Sequence, residues 1–343
     1  MSQSAAGGDD APATMRAVVV TRPGGLEALE ALEIRDVPVP VRKPGWVRIR
    51  VKAFGVNESE VTTRKGESDA EVTYPRVPGI EGVGVVDEAD ENSPLRPGQQ
   101  VATMMGGMGR SYDGTYAQYV TVPAAQVIPF ETGLPWEVVG ALPEMFQTAY
   151  GSLTTGLDLR AGQTLLIRGG TSTVGLSAAV MAKDIGATVI STTRHAGRAD
   201  ELRAMGVDHP IVDDGHIAEK VRGLAPQGVD AALELVGCTA LPDTFGCVRV
   251  HGTVCFTGAL GGAWAIPDFT PFMIPSGVRL TSYAGEATDL PADVLAHQLQ
   301  AIAAGRLEVP IAKAYHGLEQ VRDAQADLES GATPGKHVVV LDD

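Results

Sequence analysis

Apolar and polar positions alternate with a period of two through the first third of the chain. "MRAVVVTRPG", "EALEIRDVPVP" and "GWVRIRVKAFGVN" read as strands, and "GIEGVGVVDEA" and "QQVATM" continue the pattern between Pro and Gly breaks. As far as about Val127 this predicts a twisted, mostly antiparallel β region with short links. The period then changes. Near "LPWEVVGALPEMFQTAYGSL" the apolar residues fall into helical spacing. From Thr164 the units alternate: strand 164–168, helix 174–185, strand 188–192, helix 197–205. "HPIVD", the helix "GHIAEKVRGLA", the strand "GVDAALELVG", the helix "ALPDTFGCVR" and the strand "GTVCFTGAL" follow. Such β-α-β-α alternation predicts an α/β fold with a doubly wound parallel sheet. Two tail helices, "DVLAHQLQAIAAGRL" and "LEQVRDAQADLESG", precede a closing strand, "KHVVVLD". That strand is expected to return to the first domain, leaving the α/β domain inserted near its end. The expected division is a disordered tail over 1–14, a first domain over 15–137 and 282–343, and a nucleotide-binding domain over 138–281.

Composition narrows the class. The 343 residues are 44% hydrophobic, enough for two cores. Acidic residues outnumber basic ones, 42 to 27, for a formal charge of −15. A phosphate backbone or an anionic membrane would be repelled by the average surface, which argues against nucleic-acid and membrane partners. Cys238, Cys247 and Cys255 fit neither a disulfide framework nor a zinc knuckle and are read as small buried side chains. The opening "MSQSAAGGDDAPAT" lacks the basic start and apolar core of a signal peptide, and no apolar run approaches a membrane span. A cytoplasmic protein is expected.

The chemistry centres on "RGGTSTVG". Gly169 and Gly170 follow a strand, Thr171, Ser172, Thr173 and Val174 come next, and Gly175 sits inside the following helix. A pyrophosphate needs close backbone approach at a helix N-terminus, where unpaired N–H groups and the helix dipole favour anions. Ser172 and Thr173 are small, and their hydroxyls are candidate donors to phosphate oxygens.

Taken with "VKAFGVN", "VPGIEGVGVV", "GTYAQYVTVP", "TAYGSL", "LELVG" and "PGKHVVV", this loop resembles those of the medium-chain dehydrogenases/reductases, in particular their zinc-free quinone oxidoreductase branch. The resemblance runs from about Met15 to Leu341. It implies a Rossmann domain inserted into a mostly β, GroES-like catalytic domain. The family loop reads A-x-x-G-x-x-G; Gly169 and Gly175 fill its outer positions and Ser172 replaces the middle glycine. Asn57 matches the family's Asn near the nicotinamide, with an Asx-turn as its alternative role. Thr148 resembles the threonine at the nicotinamide end, or is a helix hydroxyl bonded to its own turn. Gly258, with Ala259, Leu260 and Val236, is implied to lie along the cofactor, or else Gly258 simply ends a strand. Tyr74 is a candidate acid, as are Tyr112 and Tyr116, with packing the competing role. Related thioester reductases carry their tyrosine in "G-x-Y-P", whereas here the segment reads "RKGESDAEVTYP". Glu58, Glu60 and Arg64 are read as a solvated face, with a place at the rim of the cleft as the alternative for any one of them.

Zinc-dependent relatives bind a catalytic metal through Cys, the His of G-H-E, and Cys or Asp. Here the triplet is "GIE", with Ile80 in place of histidine, and Asn57 stands near the usual cysteine. No metal is therefore expected. Hydride transfer without a Lewis acid suits quinones and α,β-unsaturated carbonyls. The cofactor is expected to be NADPH: the second strand ends in Thr193 where an NAD site carries an acid, and Arg194 and Arg198 follow, one helical turn apart. Ordinary surface charges are the alternative. The resemblance also implies a homodimer through "GTVCFTGALGGAWAIPDFTPF". A specialised reductase or cyclase of a biosynthetic pathway, or a non-catalytic NADPH-binding protein, are the alternatives in function.

Overall fold

The computed structural model describes residues 13–24, 29–68 and 72–342. The tail expected over 1–14 lies outside the described residues as far as residue 12, whereas Thr14 already opens a strand. The chain packs as two units. The first comprises the chain up to Phe130, Ala314–Ser330 and the segment from Val338 onward; the second comprises Glu131–Lys313 and Gly331–His337.

In chain order the first unit begins with β1 (Thr14–Val20), β2 (Leu32–Pro38), β3 (Trp46–Val56) and helix α1 (Glu58–Lys65). It continues with β4 (Glu81–Glu88), β5 (Gln100–Met104), β6 (Tyr119–Pro123) and β7 (Val127–Pro129). β1 and β2 form an antiparallel ribbon in register Thr14 to Pro38. β3 is the hub: it pairs antiparallel with both β4 and β6. Its alternation buries Val47, Ile49 and Val51 in a core that also holds Val18, Val20, Tyr116, Val120 and Val339. Helix α1 departs from expectation. Of the three residues read as a solvated face, Glu58 is exposed, whereas Glu60 and Arg64 lie on the inner side, each 1% exposed.

The second unit starts with helices α2 (Trp136–Val139) and α3 (Pro143–Gly151), the latter running into a π-helical turn at Ser152–Gly156. There follow β8 (Thr164–Arg168), α4 (Thr173–Ile185), β9 (Thr188–Thr193), α5 (Ala199–Ala204), β10 (His209–Val212), α6 (Ala218–Leu224), β11 (Val229–Glu234), α7 (Leu241–Cys247), β12 (Val248–Phe256) and β13 (Arg279–Ser282). The sheet runs β10-β9-β8-β11-β12-β13, and every neighbouring pair is parallel. Strand order reverses between β8 and β11, which is where such sheets open a crevice at their carboxyl ends. Leu166, Ile190, Val229, Ala232 and Val254 form one face of the core under α6 and α7.

Helix α8 (Ala292–Ala303), strand β14 (Ile311–His316), helix α9 (Val321–Ser330) and strand β15 (Lys336–Val340) complete the chain. β14 and β15 extend the β3 sheet in the order β14-β15-β3-β4-β5-β7, with Leu341 N–H donating to Lys52 O at 2.8 Å. The boundary expected at 282 differs, because residues 282–313 group with the second unit. α8 buries Leu295 and Leu299, and Tyr283 is bonded to Gln147 of α3. No helix among the described residues is long and apolar enough to cross a membrane.

Candidate functional site

The glycine loop joins β8 to α4 as expected, and packing explains each glycine. Gly169 has φ +93°, a backbone conformation that L side chains rarely adopt. A Cβ on Gly170 would overlap Ser191 Oγ, and one on Gly175 would stand 2.6 Å from Gly169 O. Ser172 has a structural role that the sequence reading did not assign. It is the N-cap of α4: its hydroxyl accepts from Gly175 N–H at 3.1 Å and donates to Gly169 O at 2.8 Å. Its proton is therefore committed inside the loop. Thr173 and Val174 open the helix, where first-turn N–H groups have no intrahelical acceptor. Gly169 N–H donates to Thr192 Oγ1 and Gly170 N–H to Thr192 O, both at 3.0 Å, so the loop is pinned to the end of β9.

Beyond β9 the Thr193 hydroxyl exchanges 3.2 Å contacts with the backbone of His195. Thr193 is buried and Arg194 exposed, while Arg198 is partly covered. Among the described residues neither guanidinium has a hydrogen bond or an ion pair. The first acid downstream, Asp200, is taken up by Arg203 at 2.7 Å. The tips of β8, β11 and β12 converge beside the loop. A Cβ on Gly169 would lie 3.2 Å from Leu260 Cδ1 and 3.6 Å from Val236 Cγ2, and Leu260 N–H donates to Leu235 O. Gly258 N–H donates to Glu234 O at 3.3 Å. Gly169, Val236, Gly258 and Leu260 thus share one end of the sheet, with Ala259 between the last two.

Two residues that the sequence reading overlooked lie beneath this end. Arg168 is 1% exposed and closes β8. It pairs bidentately with Asp213 at 2.8 and 3.0 Å, reaches Asp243 at 2.9 Å, and donates to Thr244 Oγ1, Ala240 O and Gly215 O. Burial pushes the Asp213 carboxyl up, but the Arg168 hydrogen bonds outweigh it and hold it below the usual range. Glu234 is fully buried; its carboxylate caps Val236 N–H at 2.7 Å and Gly237 N–H at 3.1 Å, and burial raises its pKa. The signal was an arginine in an otherwise apolar strand.

Thr148 lies on α3, 9% exposed. Its Oγ1 is 3.0 Å from Glu144 Oε1 and 3.3 Å from Gln147 Oε1. One turn later Ser152 Oγ sits 3.0 Å from Thr257 Oγ1, the residue before Gly258. Lys336, also 1% exposed, pairs with Glu144 Oε2 at 3.1 Å. Cys255 is buried near Thr257, and burial raises its thiol pKa.

In the first unit Asn57 follows β3 and is the N-cap of α1, so it turns the chain from strand into helix. Its Nδ2 donates to Glu81 Oε1 at 2.9 Å, and Glu60 accepts from the N–H groups of Asn57 and Ile80, both at 2.8 Å. Glu81, the last residue of "GIE", escaped the sequence reading; it is wholly buried and fixes the Asn57 amide. Arg64 pairs with Glu329 at 2.6 Å. Tyr74 donates its hydroxyl to Thr63 O at 2.5 Å, the role of a brace on α1. Tyr112 donates to Gln126, and Tyr116 stacks on Phe54 with its ring wholly buried. Ile80 is 4% exposed, and among the described residues no three His, Cys, Asp or Glu side chains form a metal-ligand group.

Two family models match the chain: an alcohol dehydrogenase GroES-like domain over residues 43–132 and a zinc-binding dehydrogenase domain over 205–339. The chain is 28% identical to the rat synaptic vesicle membrane protein VAT-1 homolog, across 71% of this chain and 59% of that protein. It is 28% identical to a probable quinone oxidoreductase of Leishmania amazonensis, across 87% of this chain and 89% of that protein. Two solved structures, each 26% identical, superpose closely. An NAD-dependent alcohol dehydrogenase gives a TM-score of 0.83 over 96% of this chain and 100% of the other. A mycobacterial protein complexed with NADPH gives 0.81 over 95% and 99%. Matched by both domain models, and along most of its length by a quinone oxidoreductase relative, the chain belongs to the medium-chain dehydrogenase/reductase superfamily, in its quinone oxidoreductase-like group.

Proposed function

We propose that this protein is an NADPH-dependent oxidoreductase that reduces a quinone or an α,β-unsaturated carbonyl without zinc. The observation that carries the reading is the pair Arg194 and Arg198, which follow an acid-free strand end and have no partner among the described residues. A guanidinium fork pairs bidentately with phosphate oxygens, so these two side chains suit a 2′-phosphate that an acid would repel. One structural neighbour is an NAD enzyme and another is complexed with NADPH, so the NADPH reading rests on the arginines and not on the fold.

The first turn of α4, packed close against the end of β8 by the loop glycines, offers N–H donors to a pyrophosphate. Bound NADPH supplies the hydride. The acceptor has to be electrophilic in its own right, because Ile80 and Asn57 stand where zinc ligands would be required. Asn57, its amide held by Glu81, then serves as a fixed polar group that orients the acceptor. The described quinone oxidoreductase relative supports this acceptor class.

We also propose a homodimer through the outer edge of β13. In the segment between β12 and β13, Trp264 is 63% and Phe272 97% exposed, more apolar surface than a solvated loop needs.

NADPH consumption with a panel of quinones and enones tests the function. Turnover is expected to follow acceptor electrophilicity, with a higher specificity constant for NADPH than for NADH. Equal constants for the two cofactors would overturn the cofactor assignment. Oxidation of ethanol or benzyl alcohol as fast as quinone reduction would overturn the acceptor class, and tight NADPH binding with no turnover would point to a non-catalytic role.

A further inference from the structure

A cavity of about 320 Å³ opens in the second unit between three elements: the end of α3 with its π-helical turn, the last turns of α4, and α8. α4 begins at the glycine loop with Thr173 and carries Asp184 in its final turn. At 1.5 Å per residue the two are about 16 Å apart along the axis, so the cavity and the loop lie at opposite ends of one helix. We propose that this cavity binds a small organic cation, a primary ammonium on an apolar body, as a second ligand site beside that for the dinucleotide.

The lining is apolar with a few polar groups, the usual make-up of a small-molecule site, and its volume is at the lower end for one. Leu153, Met181, Ile185 and Val294 supply the apolar part. Asp184 and Asp293 also line it, and neither has an ion pair among the described residues. No lysine or arginine stands among the lining residues. Two carboxylates without a counter-charge on one cavity repel an anionic ligand and attract a cation.

Gln298 points to a ligand independently of that charge. It lines the cavity and is 4% exposed. Its Nε2 is turned to Asp184 Oδ2 at 3.5 Å. The reverse orientation would set a carbonyl against a carboxylate, two acceptors, so the amide has one preferred sense. Oε1 is thereby left buried and without a donor. Buried amide oxygens ordinarily have a partner. The last torsion of a glutamine is broad, and a small rotation brings Oε1 to a donor seated in the cavity.

Thr154 adds a further acceptor. Its hydroxyl donates to Tyr150 O at 2.7 Å, which leaves only lone pairs for a ligand. Tyr150 and His297 can serve in either sense. Every lining group whose polarity is fixed toward the cavity therefore accepts. A primary ammonium has three N–H donors, no lone pair and a positive charge, which answers the two carboxylates, the orphaned amide oxygen and the hydroxyl together. A neutral alcohol brings one donor and no charge. The hydrocarbon part of the ligand lies against the apolar lining.

The experiment is a calorimetric titration of the full chain with phenethylammonium, with its neutral counterpart 2-phenylethanol and with its anionic counterpart 3-phenylpropionate, at an ionic strength of about 0.15 M to screen the exposed surface. The ammonium is expected to fill one site per chain and to bind at least about tenfold more tightly than the alcohol, the worth of a charge-assisted hydrogen bond; the acid should not bind. Asp184→Asn with Asp293→Asn should weaken the ammonium by about ten- to a hundredfold. Ile185→Trp, which occupies the cavity, should abolish its binding, and saturating NADPH should leave it unchanged. An unaltered melting temperature shows that each variant is folded. Equal affinity for the alcohol, equal affinity of the doubly substituted protein, displacement by NADPH, or no saturable binding overturns the proposal. Failure of NADPH itself to bind overturns the dinucleotide reading and leaves this one standing.

Discussion

Ser172 ties the two outer glycines of the loop together, donating to Gly169 and accepting from Gly175, which the glycine of the family pattern cannot do. Ser172→Ala should therefore lower stability by about 0.5–2 kcal/mol, whereas Ser172→Gly should cost only a few tenths, readable as a difference in denaturation midpoints. At the other end of the cofactor site, Arg198→Ala should weaken NADPH binding by about one to two orders of magnitude and leave NADH nearly unaffected, as direct titration would show. The spacing of Arg194 and Arg198 was legible in the sequence because a strand end followed by a helix fixes where such residues emerge. The destinations of Glu60 and Arg64 were not. A charged residue on an amphipathic segment reads the same whether it meets water or a buried partner, and here Asn57, Ile80 and Glu329 are the partners.

At the scale of elements, strands with a clean period of two or a continuous apolar run were readable to within a few residues, as for β8 and β9. Helix α1 escaped because "ESEVTTRK" has only one apolar residue to mark its face. β13 escaped because it is an edge strand with little buried surface, so nothing forces its residues to alternate. The π-helical turn after α3 has no sequence signature that we can identify. β8 and the loop after β10 are joined by Arg168 and Asp213, which makes their packing pH-dependent. The folded-state pKa of Asp213 is depressed, so its contribution is complete above about 3.9, the ordinary aspartate value, and is lost as pH falls through the lower folded value. Asp213→Asn should cost about 3 kcal/mol near neutrality, because it strips a buried guanidinium of its main counter-charge, and should flatten the acid limb of a stability–pH curve.

For the whole molecule, the order of β and α/β regions was plain from the change of period, while the division between units was not. The segment 282–313 joins the second unit through particular bonds, such as Tyr283 with Gln147, that no pattern of hydropathy announces. The proposed dimer belongs to this scale. Light scattering at micromolar concentration should give twice the chain mass, and Phe272→Asp should give a single chain with its melting curve little changed, since Phe272 makes almost no contact within the monomer. A monomeric mass in the unmodified protein would count against the edge-strand interface. The buried arginine under the loop bears on how this protein can be re-engineered. Should a glycine loop borrowed from a relative bring an uncharged residue to position 168, Asp213, Asp243 and Glu234 would face one another as uncompensated carboxylates. The exchangeable module is therefore larger than the loop: it includes the last residue of β8 and the acids that surround it, and cofactor swaps that respect that boundary are the ones expected to fold.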